Sequence, residues 1–217
     1  MELGNTGISL LEHTSKRLEK VPSIDRVVFA IPDTKENDAL ASYLKGKGLD
    51  YYRGSEDNVL ERFYECAIKY SPRLVVRATC DNPCVDYEEA ERLINEMRGF
   101  DYAVTDNAPL GTAVEVFTAD ALNKAYHEAQ SDVDREHVTP YLYRNENLFR
   151  VLYLPSLYES LKDLRLTVDT AQDMALMNEI FSALYRGEVF SNSSLYTFLA
   201  NHPQLLSLNA SVKQKTI

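Results

Sequence analysis

The sequence predicts an α/β fold with a largely parallel sheet. Short runs rich in Val and Ile, VVFAIP (27–32) and LVVRAT (74–79), alternate with longer segments of helical period. Parallel strands require long crossover connections, which are usually helical. Between the two runs, KENDALASYLKGKG (35–48) is a predicted helix that ends at its glycines, and DYYRG (50–54) is a predicted strand. The chain therefore begins with β-α-β order.

The segment SEDNVLERFYECAIKY (55–70) gives the clearest helix prediction. Ser55 is its expected N-cap, and the acidic residues that follow suit the positive end of a helix. Its apolar residues recur on one face at helical spacing, namely Val59, Leu60, Phe63, Ala67 and Tyr70. We expect this face to pack on the sheet.

Predicted helices and strands continue to alternate toward the C-terminus. They are a helix at 87–97, strands at 101–105 and 114–118, a helix from 118 or 119 to about 130, a helix at 134–143, strands at 149–155 and 165–169, and a helix at 171–186 capped by Thr170. The tail, 188–217, should carry one more short helix before it frays. No linker divides the chain, so a single domain over 1–217 is predicted.

Composition and charge argue against several classes of partner. The chain has 217 residues, of which 45% are hydrophobic and 26% charged, as in ordinary soluble globular proteins. Its formal net charge of -10 disfavours nucleic acids and anionic membrane surfaces, because the protein's field repels phosphate polymers. Three cysteines indicate no disulfide framework and favour a reducing cytoplasm. The first residues resemble neither a secretory signal nor a membrane anchor.

The pattern R-x-T-x-D occurs twice, as RATCD (77–81) and as RLTVD (165–169). In a strand its Arg, Thr and Asp share a face, with the Asp about 13 Å beyond the Arg at ~3.3 Å per residue, so the two cannot pair. Each Asp closes its strand, and open α/β sheets bind ligands beyond the carboxyl ends of strands. Asp81 and Asp169 could thus hold one divalent cation, and Mg²⁺ suits such oxygen ligands.

An alternative stays open for both motifs. Asp81 lies in CDNPC, an ordinary turn sequence, and Asp169 precedes a Thr that can cap a helix alone, so the repetition could be chance. The two arginines favour a built site, because a guanidinium inside an apolar strand requires a carboxylate or a phosphate partner. Arg77 and Arg165 are therefore expected to have such partners.

Five segments in the same order resemble the cytidylyltransferase-like proteins of spore-coat polysaccharide biosynthesis. They are GSEDNVLERFYECAIKY, VVRATCDNPCVD, GTAVEVF, DREHVTPYLY and LRLTVDTAQD, and with the ending NHPQLLSLNASVKQK the resemblance spans residues 3–215. These proteins are similar to CMP-3-deoxy-manno-octulosonate and CMP-acylneuraminate synthetases. The resemblance implies a Rossmann-like nucleotidyltransferase fold, a three-layer sandwich with a mostly parallel sheet. It also implies Mg²⁺-dependent transfer of CMP from CTP to a sugar acid, and a homodimer.

The resemblance assigns roles to residues by their motif positions. Asp81 and Asp169 become the catalytic, metal-binding carboxylates, and Arg77 and Asp57 are candidate nucleotide contacts. The candidate substrate contacts are Glu115, Arg135, His137 and Arg165. For Glu115, an ion pair with Arg77 or Arg165 is an equal alternative. For the charged run 134–137, a solvated helix start capped by Asp134 or Ser131 competes with a substrate or dimer contact, and Asp57 could simply be solvated.

The sequence departs from this family at its start. Members open with a central strand and a basic loop of the form I-x-A-R-x-x-S-x-R-L-P-G-K, whereas this chain opens with MELGNTGISLLEHT. Lack of the loop should lower nucleotide affinity and rate, and lack of the strand should expose unpaired backbone groups. We therefore expect that translation starts upstream or that the chain is a shortened form. The alternatives are a nucleotide-sugar-dependent glycosyltransferase and a non-catalytic paralogue that acts as a binding partner.

Overall fold

The computed structural model describes residues 1–214 and shows the predicted alternation of helices and strands. The strands are β1 (Phe29–Pro32), β2 (Tyr51–Gly54), β3 (Leu74–Arg77), β4 (Tyr102–Asp106), β5 (Glu115–Thr118) and β6 (Val151–Pro155). The helices are α1 (Leu10–Leu18), α2 (Asp38–Gly46), α3 (Val59–Tyr70), α4 (Tyr87–Glu96), α5 (Ala119–Glu128), α6 (Asp132–His137), α7 (Pro140–Arg144), α8 (Ala171–Leu184) and α9 (Asn192–Asn201). In this range no helix has the length and apolar run that a bilayer crossing requires.

The strands form two separate sheets. β1 and β2 pair in parallel, and the other four strands have the order β3-β5-β4-β6. β5 is antiparallel to both of its neighbours, while β4 and β6 are parallel, so the sheet is mixed rather than mostly parallel as predicted. The connection from β4 to β5 explains the difference, because residues 107–114 are too few for a parallel crossover, which needs a dozen or more residues.

Helices cover both faces of the four-stranded sheet, which confirms the predicted three-layer sandwich. Alternate residues of a strand point to opposite faces. Tyr102 and Phe117 accordingly pack in a core with α3, α5 and α7. Their chain neighbours Ala103 and Val116 pack in a second core with α1 and α4 on the other face.

Two predicted helix boundaries are wrong. The helix predicted from Ser55 begins at Val59, because Asn58 caps it by accepting a hydrogen bond from the amide of Glu61 at 3.0 Å. The helix predicted at 134–143 is divided into α6 and α7. Pro140 cannot donate the backbone hydrogen bond that a continuous helix needs, and Val138 before it has a φ of 72°.

Residues 192–208 of the C-terminal tail pack on the core. α9 confirms the predicted short helix, and a 3₁₀ turn at Pro203–Leu208 packs with it on α8. Leu195 and Leu199 of α9 are buried together with Leu176 of α8. Residues 215–217 of the predicted tail lie outside the described residues.

The buried Arg17 of α1 also ties the tail to the rest of the molecule. Its guanidinium donates to the carbonyl oxygen of Val85 at 2.6 Å, to that of Phe190 at 3.1 Å, and to the side chain of Asn192. Arg17 is 1% exposed, and burial lowers its pKa. This buried cation is held by neutral oxygens, which join α1, the loop before α4 and the start of α9.

Candidate active site

The two R-x-T-x-D segments meet at the carboxyl end of β3. The amide of Val168 donates to the carbonyl oxygen of Asp81 at 2.9 Å, which places the backbone before Asp169 directly beside Asp81. The predicted strand at 165–169 is wrong, since this segment forms only an isolated bridge between Arg165 and Leu110. It crosses from the loop at Leu110 to the loop at Asp81 instead of running along a neighbouring strand, so it cannot form a continuous ladder.

Gly111 allows the second segment to come this close. A Cβ at Gly111 would lie 2.6 Å from the carbonyl carbon and oxygen of Leu166 and from the amide nitrogen of Thr167. Its φ of 91° is also one that residues with a side chain rarely adopt. The glycine that opens the GTAVEVF motif therefore positions the backbone that carries Asp169.

Asp81 is half-buried and is held by its own motif. The hydroxyl of Thr79 donates to Oδ1 of Asp81, so the Thr of R-x-T-x-D orients the Asp two residues later. Among the described residues no donor contacts Oδ2 of Asp81. One oxygen of the carboxylate is therefore fixed and the other is open to a ligand.

Asp169 is held by Arg165, which corrects the expectation that the Arg and Asp of one motif cannot pair. Nη2 of Arg165 lies 2.5 Å from Oδ2 of Asp169, so the two side chains do reach each other across the motif. The Asp169 side chain is 47% exposed and the Arg165 side chain is 10% exposed. Within residues 1–214 no donor contacts Oδ1 of Asp169, so this carboxylate also offers one free oxygen.

Asp173, which lies outside the predicted set of site residues, supports this arrangement through Arg165 and the backbone of Asp169. It is fully buried and pairs with Nε of Arg165 at 2.8 Å. Its Oδ2 accepts from the amides of Asp169 and Thr170 at 3.1 and 3.0 Å. Burial alone would raise the pKa of Asp173, but hydrogen bonds from Arg165, Asn209 and Thr170 hold this pKa well below its usual range.

A sequence signal for Asp173 exists. Thr170 and Asp173 form a capping box at the start of α8, in which each side chain bonds the other's backbone amide. The T-x-x-D spacing before an apolar helix could have indicated it. No comparable signal marks Asn209, whose side chain donates to Asp173 at 2.9 Å from the far end of the chain.

Glu115 lies in a network of side chains inside the sheet. Its Oε2 is 2.5 Å from Nη1 of Arg77, its cross-strand partner, and its Oε1 accepts from Tyr102 at 2.7 Å and from Thr139 at 2.6 Å. Burial and the adjacent Glu115 carboxylate raise the pKa of Tyr102. The structure thus supplies the carboxylate partner expected for Arg77. It favours the ion-pair interpretation of Glu115 over a direct substrate contact.

The remaining candidates are not brought to the two aspartates by any described contact. Asp57 is exposed in the loop before α3, and Arg135 is exposed on α6. Nε2 of His137 lies 4.0 Å from the carboxylate of Glu136. Ser131, rather than Asp134, caps α6 through the amide of Asp134 at 3.1 Å. Roles for these residues in nucleotide, substrate or dimer contacts stay predictions.

The donor set fits a hard divalent cation that also binds a substrate. Asp81 and Asp169 each offer one free carboxylate oxygen, the ligand type that Mg²⁺ prefers. Within residues 1–214 no three His, Cys, Asp or Glu side chains form a group suited to a metal. The protein would therefore supply two ligands, and water and substrate phosphates would supply the rest.

Sequence and structure comparisons agree on the class of protein. The sequence matches the profile of the cytidylyltransferase family over residues 6–203. It is 38% identical over 210 residues to an uncharacterized protein of Methanocaldococcus jannaschii, covering 95% of this chain and 86% of that protein. It is 33% identical over 184 residues to the spore coat polysaccharide biosynthesis protein SpsF of Bacillus subtilis, covering 82% of this chain and 76% of SpsF.

Solved structures show the same fold. A cytidylyltransferase from Leptospira borgpetersenii superposes with a TM-score of 0.85 at 22% identity, covering 100% of this chain and 90% of that chain. A CMP:2-keto-3-deoxy-manno-octonic acid synthetase complexed with CTP gives a TM-score of 0.55 at 12% identity, with coverages of 94% and 90%. The family profile and these structural neighbours together identify the chain as a nucleotidyltransferase enzyme. Because the family profile matches most of its length, the chain belongs to the cytidylyltransferase family.

Proposed function

We propose that the protein transfers CMP from CTP to a sugar acid and releases pyrophosphate, with Mg²⁺ as cofactor. The product would be a precursor of a surface or spore-coat polysaccharide. Membership of the cytidylyltransferase family supports the nucleotide, and the name of the relative SpsF supports the pathway. The observation that supports the mechanism is the backbone contact between the two R-x-T-x-D segments, in which the amide of Val168 donates to the carbonyl oxygen of Asp81 at 2.9 Å.

The chain's own residues hold the two carboxylates before any substrate binds. Thr79 fixes Asp81, while Arg165 and Asp173 fix Asp169, so one oxygen of each carboxylate would be available to a ligand without reorganisation. Bound Mg²⁺ would neutralise the triphosphate and the charge that develops on the leaving pyrophosphate. The sugar hydroxyl oxygen forms a bond to the α-phosphorus as the bond to the pyrophosphate oxygen breaks, and the hydroxyl proton passes to water.

Charge explains why this chemistry should depend on a cation. The formal net charge of the chain is -10, and two of the carboxylates counted in it, Asp81 and Asp169, would lie beside the triphosphate. Without a cation these groups repel the nucleotide. We also place the enzyme in the cytoplasm, which its free cysteines Cys66, Cys80 and Cys84 fit. A homodimer, which the family resemblance implies, stays a prediction.

The test is pyrophosphate release from CTP with a panel of sugar acids, with and without Mg²⁺, for the wild type, Asp81→Asn and Asp169→Asn. Each substitution keeps the shape of the side chain and removes its charge. We expect turnover to fall by about 10²-fold or more in each variant, the size seen when one transition-state contact is lost. Asp120→Asn is the matched control, because Asp120 is exposed on α5 and should leave turnover unchanged.

Three results would contradict the proposal. Unchanged Mg²⁺-dependent turnover in Asp81→Asn and Asp169→Asn would reject the assignment of these residues. Release of a nucleoside monophosphate or diphosphate from a nucleotide sugar, instead of pyrophosphate from CTP, would indicate a glycosyltransferase. Absence of both turnover and Mg²⁺-dependent CTP binding in the wild type, measured by calorimetry, would indicate a non-catalytic binding protein.

A further inference from the structure

A slot of about 870 Å³ separates β1 from β3 in the middle layer of the molecule. Residues of α3 line one face of the slot, and residues of α1, with Ile94 of α4, line the other. Its two long walls are backbone segments, 23–30 on one side and 71–80 on the other. The slot therefore occupies the position of a strand, between two strands and between two layers of helix.

The β1 wall presents unpaired backbone groups to the slot. β1 pairs only with β2 among the described residues, through bonds such as Phe29 N–H to Asp50 at 2.9 Å and Asp33 N–H to Gly54 at 2.7 Å. Because successive residues of a strand direct their backbone groups to opposite sides, Val28 and Ala30 direct theirs into the slot. Among residues 1–214, no backbone group pairs with Val28 or Ala30 on the side of the slot.

The β3 wall is built in the same way. β3 pairs only with β5 within the described chain, and the amide of Ala119 donates to the carbonyl of Arg73 at 3.2 Å just before this ladder begins. The alternation then directs the backbone groups of Leu74, Val76 and Ala78 away from β5 and into the slot. Two facing rows of donors and acceptors result.

The slot also exposes side chains that a complete sheet would cover. Each of the four residues of β3, Leu74 to Arg77, is only half-buried, although a strand between two helical layers is normally buried. Arg62 of α3 lines the slot and is 8% exposed, yet its Nε has no acceptor within residues 1–214. A carbonyl oxygen in the slot would supply that acceptor.

We propose that the slot binds an extended, uncharged segment of about five residues, rich in Val, Ile or Leu, which adds a strand between β1 and β3. Five residues at ~3.3 Å each match the wall from Leu74 to Ala78. An unmade hydrogen bond costs about 1–3 kcal/mol for a buried backbone group, and only another backbone can satisfy both rows at once. A compact small molecule would leave most of these groups unpaired.

Occupancy of the slot would also affect the candidate active site. Thr79 and Cys80 line one end of the slot, and Asp81 follows directly. A strand paired along β3 would hold the backbone up to the residue that carries the first carboxylate. The bound segment would therefore join the two sheets into one and stiffen the end of β3.

The test is binding of a peptide with five consecutive Val and Ile residues between terminal lysines, followed by amide hydrogen exchange of the full chain. We expect protection of the amides of Val28, Ala30, Val76 and Ala78 at saturation. The matched control is the same peptide N-methylated at two alternate residues, which removes the donors on one edge without changing its apolar surface. It should bind at least about fivefold more weakly, as the loss of one or two hydrogen bonds predicts.

Variants of the protein test the two walls separately. Ala30→Pro removes a backbone N–H that faces the slot and keeps the hydrogen bonds between β1 and β2. Val76→Pro likewise removes an N–H that faces the slot and keeps the hydrogen bonds between β3 and β5. Each should weaken peptide binding about 3- to 10-fold. Where a variant unfolds, two fusions of the wild type replace it. One carries the peptide at its N-terminus through a flexible linker, and the other carries the same peptide with Pro at the two N-methylated positions. The urea midpoints of the two fusions are then compared.

Several results would overturn the proposal. The first is that the peptide does not protect the four amides from exchange. The second is that the N-methylated peptide binds as tightly as the unmodified one. The third is that the two fusions have equal urea midpoints. Protection of the same amides by CTP alone would assign the slot to the nucleotide. None of these measurements uses turnover, so their outcome is independent of the proposed reaction.

Discussion

At the scale of single residues, the candidate site depends on which oxygen of each carboxylate is already bonded. Thr79 and Arg165 each take one oxygen of an aspartate, and the second oxygen stays free. The motif R-x-T-x-D thus supplies both the aspartate and the residue that orients its carboxylate, and this orienting residue differs between the two copies. In the first copy the Thr orients the Asp, and in the second copy the Arg does.

His13 gives a prediction about pH because the fold holds it neutral. It is 2% exposed, its Nε2 lies 3.1 Å from the hydroxyl of Thr6, and its ring packs on Phe181 with centroids 4.4 Å apart. Burial, with the nearby charge of Arg17, lowers the pKa of His13 from 6.5 to about 4. The unfolded chain therefore binds a proton first, and this contribution to stability is lost as the pH falls from 6.5 toward 4.

We expect the free energy of unfolding of His13→Gln to depend less on pH than that of the wild type. Relative to pH 7.5, the His13 contribution at pH 5 amounts to about 2 kcal/mol of lost stability in the wild type. Urea titrations of both proteins between pH 7.5 and 5 measure the difference. The pKa of Glu12 is lowered to about 2, although burial opposes this shift. The contribution of Glu12 to the free energy of unfolding is therefore lost mainly below this pH range.

Asp86 acts in the opposite direction and is controlled by the same comparison. Burial raises the pKa of Asp86 to about 6, so the folded protein binds this proton first and gains stability as the pH falls from 6 toward 3.8. Both proteins contain Asp86, and its contribution cancels in the difference. Parallel curves for the wild type and His13→Gln would show that His13 has the same pKa in the folded and the unfolded protein.

At the scale of elements, the segment that carries Asp169 is placed by a loop and not by a strand. Residues 165–169 bridge Leu110 and Asp81, and Gly111 leaves the space for them. Alternation of apolar residues in RLTVD predicts a strand, but a sequence pattern does not show whether a neighbouring strand is available for pairing. Asp173 and Asn209 support this segment through tertiary contacts as well, because their hydrogen bond joins the start of α8 to the far C-terminus.

Gly111→Ala should therefore disturb the site more than its backbone conformation alone explains. Gly99→Ala is the matched control, since both glycines have a φ of 91° but a Cβ at Gly99 would meet no atom within 4 Å. Both variants should lose about 1 kcal/mol from the positive φ. Gly111→Ala should lose a further ~1–3 kcal/mol from the contact with Leu166.

Only Gly111→Ala should also reduce pyrophosphate release, because its Cβ displaces the backbone before Asp169. Urea denaturation and the turnover assay applied to both variants separate the two effects. Equal losses of stability and equal turnover in the two variants would show that the approach of Leu166 to Gly111 is not required.

The sequence predicts the layers and most elements of this fold because the chemistry behind them is local. Val- and Ile-rich runs, helix caps and glycine stops lie within a few residues of the structure that they specify, as for Thr170 and α8. The antiparallel direction of β5, the burial of Arg62 and the packing of α9 depend on contacts across the chain. The contact between the two R-x-T-x-D segments is the exception, since the segments lie far apart along the chain and yet the repeated motif selects both.

At the scale of the whole molecule, the sheet is divided, and the two parts should differ in stability. β1 and β2 have four residues each and share a separate core of Phe29, Ile31, Ala41 and Leu44. Isolated two-stranded sheets are marginally stable, and within the described residues no backbone ladder joins this sheet to the four-stranded one. The four-stranded sheet is covered on both faces by larger cores.

Native-state hydrogen exchange should show this division directly. We expect the amides of Phe29 and Ile31 in β1 to exchange through an opening at least about 2 kcal/mol lower in free energy than that of Ala103 and Val116, or about 30-fold faster. The rates are measured by NMR at low denaturant, where local openings dominate. Equal opening free energies for the two sheets would mean that the helices α2 and α3 couple them into one cooperative unit, in spite of the slot between β1 and β3.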